Sequence, residues 1–147
     1  MFLLDVIEHL DDDGLALKEA AHVLVPGGVV IVTVPAFMSL WSEHDVLNEH
    51  RRRYRRAELG SRLEQAGLRI ERLTYFNSRL FPLAAIDRWA HRLTRRPVRA
   101  ELQVPRRWIN DLMRRTFQSE QHRVADPARA PYPFGVSALA VGRWRGE

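Results

Sequence analysis

Asp5, Glu8 and His9 stand where an apolar run, Met1-Phe2-Leu3-Leu4, gives way to ionisable side chains. A strand buried in a parallel sheet changes in this way where it delivers polar groups to a ligand crevice. His9 is the candidate general base of the set, because an imidazole titrates near neutrality and this one follows the strand's carboxyl end. The plainer role for Glu8 and His9 is to cap or brace the next helix. A second set lies in 36–56, where Phe37, Trp41, His44, Asp45, His50, Arg51, Arg52, Arg53 and Tyr54 mix aromatic faces with charge. Of these, Trp41, His44, His50, Arg53 and Tyr54 are candidates to line a substrate pocket, where aromatic faces and hydrogen-bond donors confer selectivity. The alternative is that Trp41 and Tyr54 only pin this segment to the sheet. His44, Asp45, Glu49 and His50 are residue types that ligate metals, but their spacing matches no closed site and no metal is expected.

These groups need elements to position them. The apolar stub at 1–4 and the β-branched run at 29–34, apolar on both faces, predict two central parallel strands. Between them Asp11-Asp12-Asp13-Gly14 offers capping oxygens, and Leu15, Leu17, Ala20, Ala21, Val23 and Leu24 trace a helix over 14–24 that Pro26-Gly27-Gly28 stops. Residues 36–56 lose periodicity and are expected to form a long substrate-side excursion. A short helix over 57–66 ends at Gly67, and 68–75 alternates like an edge strand. Two amphipathic helices follow over 79–94 and 105–117, then a polar loop over 119–133 and a last strand over 134–144.

With 147 residues, 46% of them hydrophobic, the chain suits one domain with a real core. The lack of cysteine excludes disulfides and thiolate sites and fits a reducing, cytoplasmic setting. No apolar stretch approaches the roughly 20 residues of a membrane span, and no leader pattern is expected. The net charge of +5 is almost wholly arginine, since Lys18 is the only lysine. The run His50-Arg51-Arg52-Arg53-Tyr54-Arg55-Arg56 could clamp phosphate, but such runs are usually solvated faces, and Glu58, Glu64 and Glu71 can offset it; nucleic acid is not the expected partner. Arg92, Arg95, Arg96, Arg99, Arg106, Arg107, Arg114 and Arg115 flank the two late helices, whose Trp89, Trp108 and Phe117 are expected to face the core.

Four segments in order carry a family resemblance: Asp5-Val6-Ile7-Glu8-His9-Leu10 ending a strand, the turn Pro26-Gly27-Gly28, the strand directly after it, and Ala66-Gly67-Leu68 leading into another. Together they resemble the second half of class I S-adenosylmethionine-dependent methyltransferases. The resemblance implies an α/β, Rossmann-like fold: a mostly parallel sheet, flanking helices, and an antiparallel last strand inserted between the two before it. It implies S-adenosylmethionine as cofactor, with Leu4, Asp5 and Val6 beside its methionine part, and methyl transfer to a small-molecule acceptor. The departure is as informative. Complete members carry a glycine-rich loop after their first strand, whereas no G-x-G-x-x-G spacing occurs in this sequence. The expectation is therefore one partial domain over 1–147, divided into 1–35, the excursion at 36–56, and 57–147. Its first strand would then have an exposed edge that self-associates or belongs to a longer protein. A non-catalytic remnant acting as a binding module is the alternative.

Overall fold

The branched residues of Val29–Pro35 form strand β2, whose alternate side chains Val30, Val32 and Val34 are fully buried. The structure, a computed structural model, describes residues 1–94 and 107–146. Strand β1, Phe2–Leu4, pairs parallel with β2, setting Phe2 opposite Ile31 and Leu4 opposite Thr33. On the other side β2 pairs antiparallel with the last strand β4, Ser137–Trp144. β4 in turn pairs antiparallel with β3, Leu68–Phe76, with a bulge between Ile70 and Arg72. The order β1-β2-β4-β3 places the last strand between its two predecessors, running against all three others, as the resemblance implies.

Helix α1, Asp13–His22, starts where Asp12 accepts a hydrogen bond from the Leu15 amide at 2.8 Å. Helix α3, Arg56–Gln65, ends at Gly67, whose φ of +83° favours glycine; a Cβ there would sit 2.6 Å from the Trp144 ring. Both helices lay their apolar sides on the sheet, so that Leu17, Ala21, Leu59 and Leu63 join the valines of β2 and Ala138 and Ala140 of β4 in one core. The excursion is more regular than its sequence suggests. It holds a single 3-10 turn, Met38–Leu40, and a short helix α2, Glu43–Leu47, opened by a capping box between Ser42 and Asp45.

Helix α4, Phe81–Thr94, agrees with expectation, but α5, Arg107–Ala125, runs well past residue 117 into the predicted loop. Tertiary bonds account for the extra turns. Glu120, buried, accepts from the amides of Ser78 and Arg79 at 3.1 and 2.8 Å, and the Arg72 guanidinium donates to the carbonyls of Arg123 and Val124 in the last turn. Neither contact leaves a local pattern. Residues 134–136 are not strand, since Gly135 lies tight against the Phe76 backbone.

The expected burial of the late aromatics is corrected. Trp89 is 66% exposed and Phe117 41%, and Leu83, Ile86 and Leu112 are open as well. The Trp108 side chain and residues 95–106 lie outside the described residues. α4 is anchored at its first turn, where Phe81 packs against Phe37 and Phe134, leaving its apolar stripe beyond the sheet. β1 forms an edge of the sheet with Phe2 and Leu4 exposed, as expected of a partial domain, although its apolar composition suits a central strand. Among the described residues no helix is long and apolar enough to cross a membrane.

Candidate functional site

Each of the two parallel strands ends in backbone that ordinary residues avoid. Asp5, just after β1, has φ +52°, and Phe37, two residues past β2, has φ +58°. Non-glycine residues in this region cost free energy and concentrate at functional sites. Asp5 is held there by Thr33: its amide donates to the Thr33 carbonyl at 3.0 Å, and the Thr33 hydroxyl donates to its carboxylate at 3.3 Å. Phe37 stacks on Tyr75 with ring centroids 4.8 Å apart. Beside these strand ends lies a polar cavity of about 360 Å³ whose walls include Asp5, Glu8, His44, His50, Arg53 and Arg88.

The wall supplied by the excursion is built on Asp45. Its carboxylate, fully buried, accepts from Arg53 Nε at 2.7 Å and Nη2 at 3.1 Å, from His50 Nδ1 at 2.9 Å, and from the Ser42 amide at 2.8 Å. Burial alone would raise its pKa, but the hydrogen bonds from Arg53, His50 and Ser42 more than reverse this and hold it below the usual value. Arg53, 7% exposed, also donates to the Ala36 carbonyl. A bidentate arginine on a carboxylate fixes both planes, so Asp45 sets the orientation of Arg53 and His50 together.

The arginine run stitches this excursion to the turn after β1. The Arg51 amide donates to the Glu8 carbonyl and its side chain to that of His9, both within 2.9 Å. Arg52 reaches the carbonyls of Leu10 and Asp11 and the Asp13 carboxylate. Tyr54, fully buried, donates to Asp13 at 2.8 Å. The offsetting charges are thus Asp11, Asp13 and Asp45 together with backbone carbonyls, where the sequence pointed to Glu58, Glu64 and Glu71.

Stitching the two segments together brings Glu8 under the imidazoles of His9 and His50. One ligand atom from each lies within 4.8 Å of the others, and the two rings meet edge to face at 4.8 Å. Glu8 has no solvent exposure, and neither of its carboxylate oxygens has a hydrogen-bond partner. Burial, aided by the nearby Asp5 charge, pushes its pKa up to about 7.

Of the residues singled out in the sequence, Asp5, His44, His50 and Arg53 share the cavity wall. His9 stands beside it against His50. Leu4 and Val6 flank Asp5 on the exposed strand end and, like half-buried Trp41, do not form that wall. Tyr54 is the pin rather than a pocket residue, since its ring is wholly in the core. Sequence reasoning passed over Glu8 as a site residue and Asp45 as its organiser. Ser42-x-x-Asp45, a helix-start signature, was the available signal for Asp45. Nothing local announces the partnerless carboxylate of Glu8.

No family model matches the chain, and no curated protein matches it in sequence. Solved structures do. A complex between the Haloferax volcanii Trm112 methyltransferase activator and a methyltransferase superposes with TM-score 0.52 at 19% identity, covering 99% of this chain and 53% of that one. The fold is that of methyltransferases. A Haemonchus contortus phosphoethanolamine N-methyltransferase 2 bound to S-adenosyl-L-methionine gives TM-score 0.51 at 14% identity, over 99% of this chain and 33% of that one. The [4+2]-cyclase SpnF gives 0.51 at 18%, over 99% and 50%. This chain therefore spans between a third and about half of the length of these structures. A cyclase among them shows that this fold hosts more than one chemistry, so activity has to be argued from the site.

Proposed function

We propose that the chain supplies the acceptor-side part of an S-adenosylmethionine-dependent methyltransferase that methylates a small molecule. The observation that carries the reading is the polar cavity at the carboxyl ends of β1 and β2, where ligands of open α/β sheets bind. Its donor set fits a sulfonium. Asp5 brings an exposed carboxylate to the cavity wall with the buried Glu8 carboxyl behind it, while the charge of Arg53 is matched by Asp45.

Leu4, Asp5 and Val6 would lie along the methionine part of the cofactor, with the thermodynamic strain at Asp5 fixing its direction. When bound, S-adenosylmethionine supplies a methyl group already activated on a neutral leaving group, so the protein's task is orientation and proton removal. His44, His50 and Arg53 would hold the acceptor through polar contacts, and Trp41 would close the outer side of the excursion. His9 receives the proton of the acceptor's nucleophile in this reading, with the His50 ring holding it in place. The cysteine-free sequence suits a reducing cytoplasm.

Isothermal calorimetry of the full chain with S-adenosylmethionine tests the proposal. Binding in the micromolar range, weakened at least about tenfold by Asp5→Ala, is expected. No heat up to about 1 mM ligand would overturn it and leave the non-catalytic binding module standing.

A further inference from the structure

We infer that Glu8, His9 and His50 form a site for a divalent transition-metal cation of the zinc class, which holds the acceptor by a hydroxyl oxygen. The identity of the acceptor atom rests on the methyl-transfer reading; the cation site does not. Three observations carry it. The ligand atoms of one carboxylate and two imidazoles lie within 4.8 Å of one another. Both Glu8 oxygens are buried without a partner, and a buried carboxylate left so is costly unless something pairs with it. His50 is already fixed in place, because Asp45 takes its Nδ1 at 2.9 Å and leaves Nε2 as the ring nitrogen available to a cation. A carboxylate behind a ligating histidine is the usual outer support of such a site.

The cation type follows from the donors. Ligands at about 2.1 Å from a zinc-like ion sit roughly 3.3 Å apart, so side-chain shifts of about 1 Å would close this cluster. Two imidazoles favour zinc, copper or nickel over magnesium, which prefers oxygen and water. A cation would also supply the buried Glu8 carboxyl with the partner it lacks and so favour its ionised form. Three protein ligands leave positions open towards the cavity, the pattern of a reactive rather than a structural centre.

The chemistry this adds is activation of an oxygen nucleophile. An acceptor hydroxyl held against the cation loses its proton to solvent water near neutrality, as a zinc-held water does. Its oxygen then bonds to the methyl carbon of S-adenosylmethionine, the methyl–sulfur bond breaks, and the electron pair stays on sulfur as S-adenosylhomocysteine leaves. The products are a methyl ether, S-adenosylhomocysteine and one proton. With the cation bound, His9 serves as a ligand, and this replaces the proton-accepting role proposed for it above.

Calorimetry of the full chain with zinc chloride, and visible spectroscopy with cobalt chloride, test the site without any acceptor. One equivalent of zinc should bind in the micromolar range and raise the unfolding temperature, and cobalt should give ligand-field bands. Glu8→Gln and His50→Gln should each weaken zinc at least about tenfold, with His22→Gln, on an exposed histidine set edge to face against Trp144, unchanged. Equal zinc affinity in all four proteins, or no binding by about 1 mM, overturns the site. Zinc heat without S-adenosylmethionine heat upholds the site and removes the methyl-transfer reading. The reverse result overturns the cation and leaves that reading in place.

Discussion

Asp45→Asn removes a single charge from the centre of the excursion while keeping its shape. Asp45 is fully buried and the Arg53 side chain is 6% exposed, so little water can replace its partner. The amide of Asn offers one acceptor where the carboxylate served Arg53, His50 and Ser42, and its own N–H groups would face those donors. Leaving one member of a buried pair uncompensated costs about 3 to 5 kcal/mol. With a urea dependence near 2 kcal/mol per molar, the unfolding midpoint should fall by about 1.5 to 2.5 M. The companion variant Asp45→Asn/Arg53→Met removes the stranded cation and should recover most of the loss, because an apolar pair of similar volume substitutes well for a buried ion pair. Urea unfolding of the wild type, both single variants and the double variant closes a thermodynamic cycle. A loss below about 1 kcal/mol for Asp45→Asn, or strictly additive losses in the double variant, would refute the Asp45-centred account.

Two further outcomes follow from the core pin and the sheet edge. Burial, then the hydrogen bond and charge of Asp13, raise the Tyr54 phenol well above its ordinary value near 10. The folded state therefore keeps the proton longer than the unfolded one: this contribution is complete below about pH 10 and is lost as the pH rises beyond it. In an alkaline titration followed by near-ultraviolet absorbance, one of the three tyrosines should ionise only as circular dichroism reports unfolding. Tyr54→Phe should abolish that step and cost about 1.5 to 3 kcal/mol, since Asp13 loses a buried donor; an unchanged titration would count against the assignment. At the β1 edge, Phe2 and Leu4 are 68% and 54% exposed beside an apolar parallel strand, so light scattering after gel filtration should find self-association that Phe2→Lys/Leu4→Lys reduces. A wild-type monomer indistinguishable from the variant would remove the edge as an association surface.

The parts of the fold with a local signature could be read directly. The β-branched run became β2, the aspartate cluster capped α1 through Asp12, and Gly67 ended α3 in the left-handed region. The position of the last strand came through the resemblance, which carries topology that residue patterns do not. What escaped depends on groups distant in sequence. The C-terminal turns of α5 rest on Arg72 and on Glu120's bonds to Ser78 and Arg79, about 40 to 50 residues away, a separation no periodicity encodes. The arginine run looked like a solvated face because its acceptors, the carbonyls of 8–11 and Asp13, lie some 40 residues earlier. For the site, the residue types were legible but their partners were not. Tyr54 is too deep to touch a ligand, and Glu8, set aside as a brace, is the carboxylate left without a partner.

The central claim is that the carboxyl ends of β1 and β2 face a sulfonium donor. Amide NMR of the labelled full chain, titrated with S-adenosylmethionine, addresses it residue by residue. Saturable shifts centred on Asp5, Val6, Thr33 and Ala36, extending to His50, are the predicted result. Shifts confined to the exposed faces of α4 and α5, or none by about 1 mM ligand, would contradict it.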